Sequence, residues 1–368
     1  MSLFDKIRGQ ERALNILRTA INNKKASGSY LFYGNKGIGK FTTALYFGMA
    51  LNCESEDKPC GKCVSCQKFL SFSHPDFIYL FPSPNLKFQL DGSYKEEKFS
   101  TEYESYIEMR RNYPWRNFSF SQRVEIRIDA IRMLIHRLSL STHESKYKVC
   151  LIENVDLMNI NTANAFLKTL EEPPSDTVIL LTSSRPDFLL PTILSRCQKV
   201  SFNPLSIDEI QNELIEMHGV EASQSRLLAR VANGSMEKAL QLLEEGESEI
   251  RIEASNLKTI IIEQNDLDFW EFLANHRGKP PDWLEQIIMH LQITLSDLGH
   301  YRHNPNYIVN IDRTSIIEDM YHQNPQIDEK ALDLIRFLEG CQKKLKGNVN
   351  QQLILLEIYK KLGDLYKK

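Results

Sequence analysis

The stretch that decides the fold reads Tyr30-Leu31-Phe32-Tyr33-Gly34-Asn35-Lys36-Gly37-Ile38-Gly39-Lys40. Four consecutive apolar or aromatic residues suit a strand buried on both faces. The seven that follow match G-x-x-x-x-G-K, a turn whose glycines let backbone N–H groups converge on phosphate oxygens. Apolar periodicity resumes at Ala44, Leu45, Phe47, Gly48 and Leu51, which predicts a helix whose N-terminus adds positive potential at the turn. The order strand, glycine loop, helix makes Gly34, Gly37, Gly39 and Lys40 candidate phosphate-binding residues, with Lys40 reaching the β/γ-phosphates.

Working outward, further buried strands are expected at 77–81, 148–152, 178–182 and 199–202, alternating with helical patterns at 10–23, 128–138 and 162–170. That alternation predicts a parallel sheet with helices on both faces. The sheet domain is expected to end near Pro204, where Ser206 and Glu209 form a capping box. Strand signals then stop. Helices are expected at 206–218, 224–232 and 236–243, and amphipathic stretches continue to residue 365. The expected domains are 1–204, a small helical lid at 205–247, and an all-helical domain at 248–368.

Composition narrows the function classes. Of 368 residues 42% are hydrophobic and 25% charged, a globular profile. The net charge of −3, from 45 Lys+Arg against 48 Asp+Glu, argues against a chain that wraps nucleic acid unaided. Apolar runs fall far short of a membrane span, and the first ten residues lack an apolar signal core, so a cytoplasmic protein is expected. Four of the seven cysteines, Cys53, Cys60, Cys63 and Cys66, lie in the pattern C-x6-C-x2-C-x2-C. In a reducing compartment this reads as a closed, structural Zn²⁺ site of four thiolates rather than as disulfides.

Two features oppose ATP hydrolysis. The position after Lys40, which normally gives a hydroxyl to Mg²⁺, is Phe41, with Thr42 and Thr43 out of register. The strand at 148–152 ends in Glu153-Asn154, one possible cation ligand followed by an amide that cannot activate water. Residues 81–120 hold ten aromatics, with six acids against six bases. A single-strand stacking platform built on Tyr113, Trp115, Arg116 and Phe118 lacks the positive field such platforms use, and an ordered insertion with its own small core is the favoured reading.

Taken with Gly9-Gln10, His74-Pro75-Asp76, Ile128-Asp129, Leu170-Glu171-Glu172-Pro173-Pro174 and Ser195-Arg196-Cys197, these motifs resemble the clamp-loader AAA+ family, and within it the delta-prime branch. The resemblance covers about the first 245 residues. It implies an AAA+ domain with an inserted zinc module at 53–66, a lid, and a C-terminal collar that oligomerises. It implies that Arg196 enters the ATP site of a neighbouring subunit as a finger, a role that suits a planar, permanently charged fork. Thr182 would fill the place of the γ-phosphate sensor, while Gly234-Ser235-Met236-Glu237 puts an acid where ATPase members carry a lid arginine.

The implied protein is a stator-like subunit with a degenerate nucleotide site (Gly34, Gly37, Gly39, Lys40, Thr42, Glu153, Thr182). ATP binding there is doubtful, and no turnover of its own is expected. Its implied partners are gamma/tau-like ATPase subunits and a delta-like subunit and, through the complex, the sliding clamp and primed DNA. An active ATPase akin to gamma/tau is the alternative, and an AAA+ initiator or helicase loader is disfavoured.

Overall fold

The computed structural model describes residues 2–23, 26, 28–84, 88–90, 92, 100–112, 118, 120, 122, 124–245, 249–301, 308, 317–318, 327–346 and 349–364. The chain divides into two compact units, one of residues 1–225 with 232–241, the other of 226–231 with 242–368. Residues 205–247 are therefore shared between the two.

The first unit is built on five parallel strands, β1 (Gly28–Tyr33), β2 (Phe77–Leu80), β3 (Lys148–Ile152), β4 (Thr177–Ser183) and β5 (Gln198–Ser201), in the order β2-β3-β4-β1-β5. Both β3 and β4 are buried at every residue, which is why they read as unbroken apolar runs rather than as alternating ones. Side chains still alternate between faces. Tyr30, Phe32, Val149, Leu151, Val178 and Leu180 join one core with α1 (Glu11–Asn22), α2 (Lys40–Asn52) and α3 (Val64–Leu70). Leu31, Cys150, Ile152, Ile179 and Leu181 join a second core with α4 (Ser100–Asn112), α5 (Ile128–Ser139) and α6 (Ile160–Glu171). A parallel sheet with helices on both faces is therefore observed. Helix α2 is apolar nearly all round and is buried accordingly.

A short helix, α7 (Pro191–Leu194), precedes β5, and α8 (Ile207–His218) follows it. The capping box is present at α8: Ser206 Oγ accepts from the Glu209 N–H at 3.2 Å, and the Glu209 carboxylate accepts from the Ser206 N–H at 2.7 Å. Two further helices, α9 (Ala222–Ala232) and α10 (Met236–Glu245), complete this stretch.

In the second unit every named element that lies wholly within it is a helix: α11 (Glu249–Glu263), α12 (Asp266–Asn275), α13 (Pro281–Tyr301), α14 (Ile327–Lys346) and α15 (Gln351–Gly363). They share one apolar core that includes Leu257, Phe269, Leu284, Leu291, Leu338 and Ile358. None of the helices among the described residues is long and apolar enough to cross a membrane.

The aromatic-rich insertion differs from its expected form. Phe81, Phe88, Tyr103 and Tyr106 do not make a small core of their own; they are part of the second sheet core, with Phe81 and Tyr106 at a ring separation of 4.1 Å. Helix α4 was not expected; its helical spacing rests on few apolar positions, and its buried residues are Tyr103 and Tyr106. Of the suggested stacking platform, Phe118 is half-buried 5.5 Å from the Tyr106 ring. Tyr113, Trp115 and Arg116 lie outside the described residues.

Candidate functional site

The glycine loop joins β1 to α2 at the carboxyl end of the sheet, where open α/β sheets place their ligands. Gly39 caps α2 with φ +94°, a conformation other residues adopt only at a cost. Gly37 is required for a second reason. A Cβ there would lie 2.1 Å from Ser235 Oγ and 2.7 Å from Glu237 Cβ. The Gly234-Ser235-Met236-Glu237 turn thus rests on the loop. The Glu237 N–H donates to the Gly37 carbonyl at 3.2 Å, and its carboxylate stands 3.6 Å from Lys36 Nζ.

Lys40 is buried and turned back on its own loop. Its ammonium donates to the Gly34 carbonyl at 2.7 Å, to the Asn35 carbonyl, and to Ser184 Oγ at 3.1 Å. An ammonium has three donors, and these contacts use all three. Burial lowers its pKa to about 8, against nearby carboxylates led by Glu237.

Around the loop lies a cavity of about 330 Å³. Gly37, Gly39, Lys40, Thr42, Glu153 and Thr182 all line it, so the sequence reading and the geometry bring the same residues together. Gly34 sits at the strand end, its N–H on the Ser183 carbonyl at 3.3 Å. Thr182 Oγ1 accepts from the Asn154 N–H at 3.1 Å, and Thr43 Oγ1 is committed to the Gly39 carbonyl at 2.8 Å. Asp156, the next acid along the chain, accepts from Ser183 Oγ at 2.8 Å and from Arg185 Nε at 3.0 Å.

Tyr106 and Arg110 also line the cavity and were not read as site residues in the sequence. Glu153 Oε2 accepts from the hydroxyls of Tyr79 (2.5 Å) and Tyr106 (2.9 Å), and Oε1 from Arg110 Nη2 (2.5 Å). The Arg110 guanidinium also donates from Nε to Tyr106 at 2.8 Å and lies over the Phe41 ring, 4.9 Å from its centre. Burial, with the Glu153 charge, raises both tyrosine pKa values, and the Glu153 and tyrosine neighbours raise that of Arg110 against its burial. The carboxylate expected to bind a cation is thus enclosed by three donors of its own chain. A hydroxyl ligand for Mg²⁺ is missing at Phe41, and Arg110 adds positive charge beside Glu153, so these residues do not fit a divalent cation. Tyr103, Tyr106 and Arg110 follow helical i, i+3, i+7 spacing, which is the sequence signal that could have placed Arg110 on the buried face.

Arg196 sits just after α7 and is not among the residues lining that cavity. Its Nε and Nη2 both meet Glu171 Oε2 at 2.8 Å, and Nη1 donates to the Thr192 carbonyl at 3.1 Å. Those contacts engage three of the five guanidinium N–H groups, and the side chain is 29% exposed.

The four expected cysteines come together, each Sγ within 4.8 Å of the others, Cys53 and Cys63 at 4.0 Å. Backbone N–H groups of Lys62 and Cys63 point at Cys60 Sγ at 3.4 and 3.3 Å and lower its pKa to about 6. Cys63 caps α3 through its sulfur. Four soft donors at this separation fit a tetrahedral structural ion such as Zn²⁺. The N-terminal turn (Leu3–Lys6) docks on the module, the Leu3 N–H on the Pro59 carbonyl at 2.9 Å and Ser2 Oγ on that of Lys58 at 2.7 Å.

The family described as DNA polymerase III, delta subunit, matches residues 9–206, more than half of the chain. The chain belongs to this clamp-loader AAA+ family. Among its relatives, the Bacillus subtilis DNA polymerase III subunit delta' is 32% identical over 62% of this chain and 57% of that protein. The Bacillus subtilis subunit tau is 27% identical over 96% of this chain and 60% of that protein. The chain thus spans roughly three fifths of the length of these clamp-loader relatives. A solved DNA polymerase III gamma subunit-related protein from Thermotoga maritima is 18% identical, covering 95% of this chain and 99% of that one, with a TM-score of 0.41.

Proposed function

We propose that the chain is a non-hydrolysing, stator-like subunit of the DNA polymerase III clamp loader. Its first unit would complete the ATP site of a gamma/tau-like neighbour with Arg196, and the helical second unit would serve as the oligomerising collar. With a delta-like subunit, the assembly would place the sliding clamp on primed DNA. The observation that carries this reading is the Glu237 turn against Gly37 and Lys36, with Lys40 spent on its own loop. Negative charge stands where transferring phosphoryl groups need positive charge, and the lysine has no donor left for them. Arg196, in contrast, is partly exposed and has N–H groups beyond its three contacts. Cys53, Cys60, Cys63 and Cys66 would hold one structural Zn²⁺.

One observation favours the alternative of an active ATPase: the alignment with subunit tau runs over 96% of the chain, and Lys40 and Thr182 are in place. Steady-state turnover by the isolated chain separates the two. None is expected; hydrolysis that disappears in Lys40→Ala would establish the motor reading instead.

A further inference from the structure

The acid at the end of β3, the aromatic at the start of α2 and the insertion helix α4 come from three separate stretches of the chain. They meet at one point. Arg110 Nη2 lies 2.5 Å from Glu153 Oε1, while its guanidinium covers the Phe41 ring at 4.9 Å. The side chains of Arg110 and Glu153 are 12% and 7% exposed. Tyr79 and Tyr106 take the remaining Glu153 oxygen.

A phosphate-binding loop that works with Mg²⁺ needs a hydroxyl after the lysine and an acid at the end of the neighbouring strand, both turned to one cation. Here the hydroxyl is replaced by a flat ring, and the acid is held by a flat cation. A guanidinium is suited to both contacts at once, since it stacks on an aromatic face and donates to a carboxylate in its own plane. Phe41 is on this view a platform for Arg110, which gives its presence a physical reason beyond the loss of a metal ligand.

We propose that the insertion supplies, through Arg110, a built-in substitute for the divalent cation, so that the chain's own helix α4 closes the cation half of the nucleotide site against Mg²⁺. This rests on the non-hydrolysing reading and extends it from an absence of turnover to a device that enforces it. Mg²⁺ demands near-octahedral oxygen ligands and gives up its water reluctantly, so it competes poorly for a carboxylate already enclosed by two hydroxyls and a guanidinium. A second cation beside Arg110 would also meet its charge at close range.

The test is binding of a fluorescent ATP analogue to the full chain, in Mg²⁺ and in EDTA. Wild type and Phe41→Thr should show no gain in Mg²⁺. Phe41→Thr/Arg110→Ala, with the hydroxyl and Glu153 Oε1 both free, should bind at least about tenfold tighter in Mg²⁺ than in EDTA. Mg²⁺-dependent binding by wild type or by Phe41→Thr alone would overturn the proposal, as would a folded double variant that gains nothing. Should that variant not fold, hydrogen exchange on the wild type decides. Protection across 100–112 should be the same with and without the Mg²⁺-nucleotide, and nucleotide-driven loss of protection there would contradict the plug. The neighbouring subunit takes no part in these measurements. A chain that binds Mg²⁺-nucleotide without turnover sinks the plug and spares the stator reading, whereas turnover sinks the stator reading itself.

Discussion

Two of the first unit's arginine–glutamate pairs, Arg110–Glu153 beside the glycine loop and Arg196–Glu171 after α7, are built in opposite ways. Arg110 and Glu153 are sealed, 12% and 7% exposed, roofed by Phe41 and two tyrosines. Arg196 and Glu171 are open, 29% and 57% exposed. A buried pair lacks solvent to take over for either partner, so it is hard to exchange for another ligand. A half-exposed pair is worth little and can yield to a stronger acceptor such as a phosphate. On the proposed reading, the same chemical pairing would close one site and keep a residue ready for another.

The sharpest difference should be in stability. Arg110→Ala leaves Glu153 charged and buried, which should cost about 3–5 kcal/mol. Glu153→Gln leaves Arg110 buried without its counter-charge and should cost a similar amount. Denaturant unfolding of the full chain measures both, and a loss below about 1 kcal/mol, the range of exposed pairs, would erase the contrast between the two sites.

Metal removal comes next. One Zn²⁺ per chain is expected from elemental analysis of protein prepared without chelator, and no stoichiometric metal would reject the site. Since cation binding organises only the ligands around it, chelation should loosen residues 53–66 and the Ser2 and Leu3 contacts on Lys58 and Pro59. Hydrogen exchange should show those segments opening while the five strands stay protected.

The smallest effect should be Arg196→Ala on the chain's own stability, between 0 and about 1 kcal/mol. A loss comparable with that of Arg110→Ala would make Arg196 a structural residue and remove the second half of the comparison.

How much of this the sequence revealed depended on where the partners lie along the chain. Strands β3 and β4 were legible because burial on both faces leaves an apolar run with nothing interleaved. The loop was legible because its glycines and Lys40 fall within seven residues, and the cysteines because four thiols fall within fourteen. Even Glu237 was legible, since the turn before it carries a pattern. Arg110 was not. It stands beside Arg111 in a polar helix, where a charge ordinarily reads as solvated, and its partner Glu153 is 43 residues away. Residues 81–120 were marked by aromatic content alone, which shows that something is packed without showing against what. The side chains of Phe81, Tyr103 and Tyr106 then proved to extend an existing core.

The central claim is that this chain contributes to a neighbour's ATP site while its own is idle, and DNA-stimulated hydrolysis by the reconstituted complex tests it most directly. One complex carries Lys40→Ala in this subunit, another Arg196→Ala. The account predicts that Lys40→Ala leaves hydrolysis unchanged. Arg196→Ala should lower it in part: fingers are worth about 10³–10⁵ at a site that depends on them, and only the site facing this subunit loses one. Hydrolysis that falls with Lys40→Ala and is untouched by Arg196→Ala in a fully assembled complex would contradict the account.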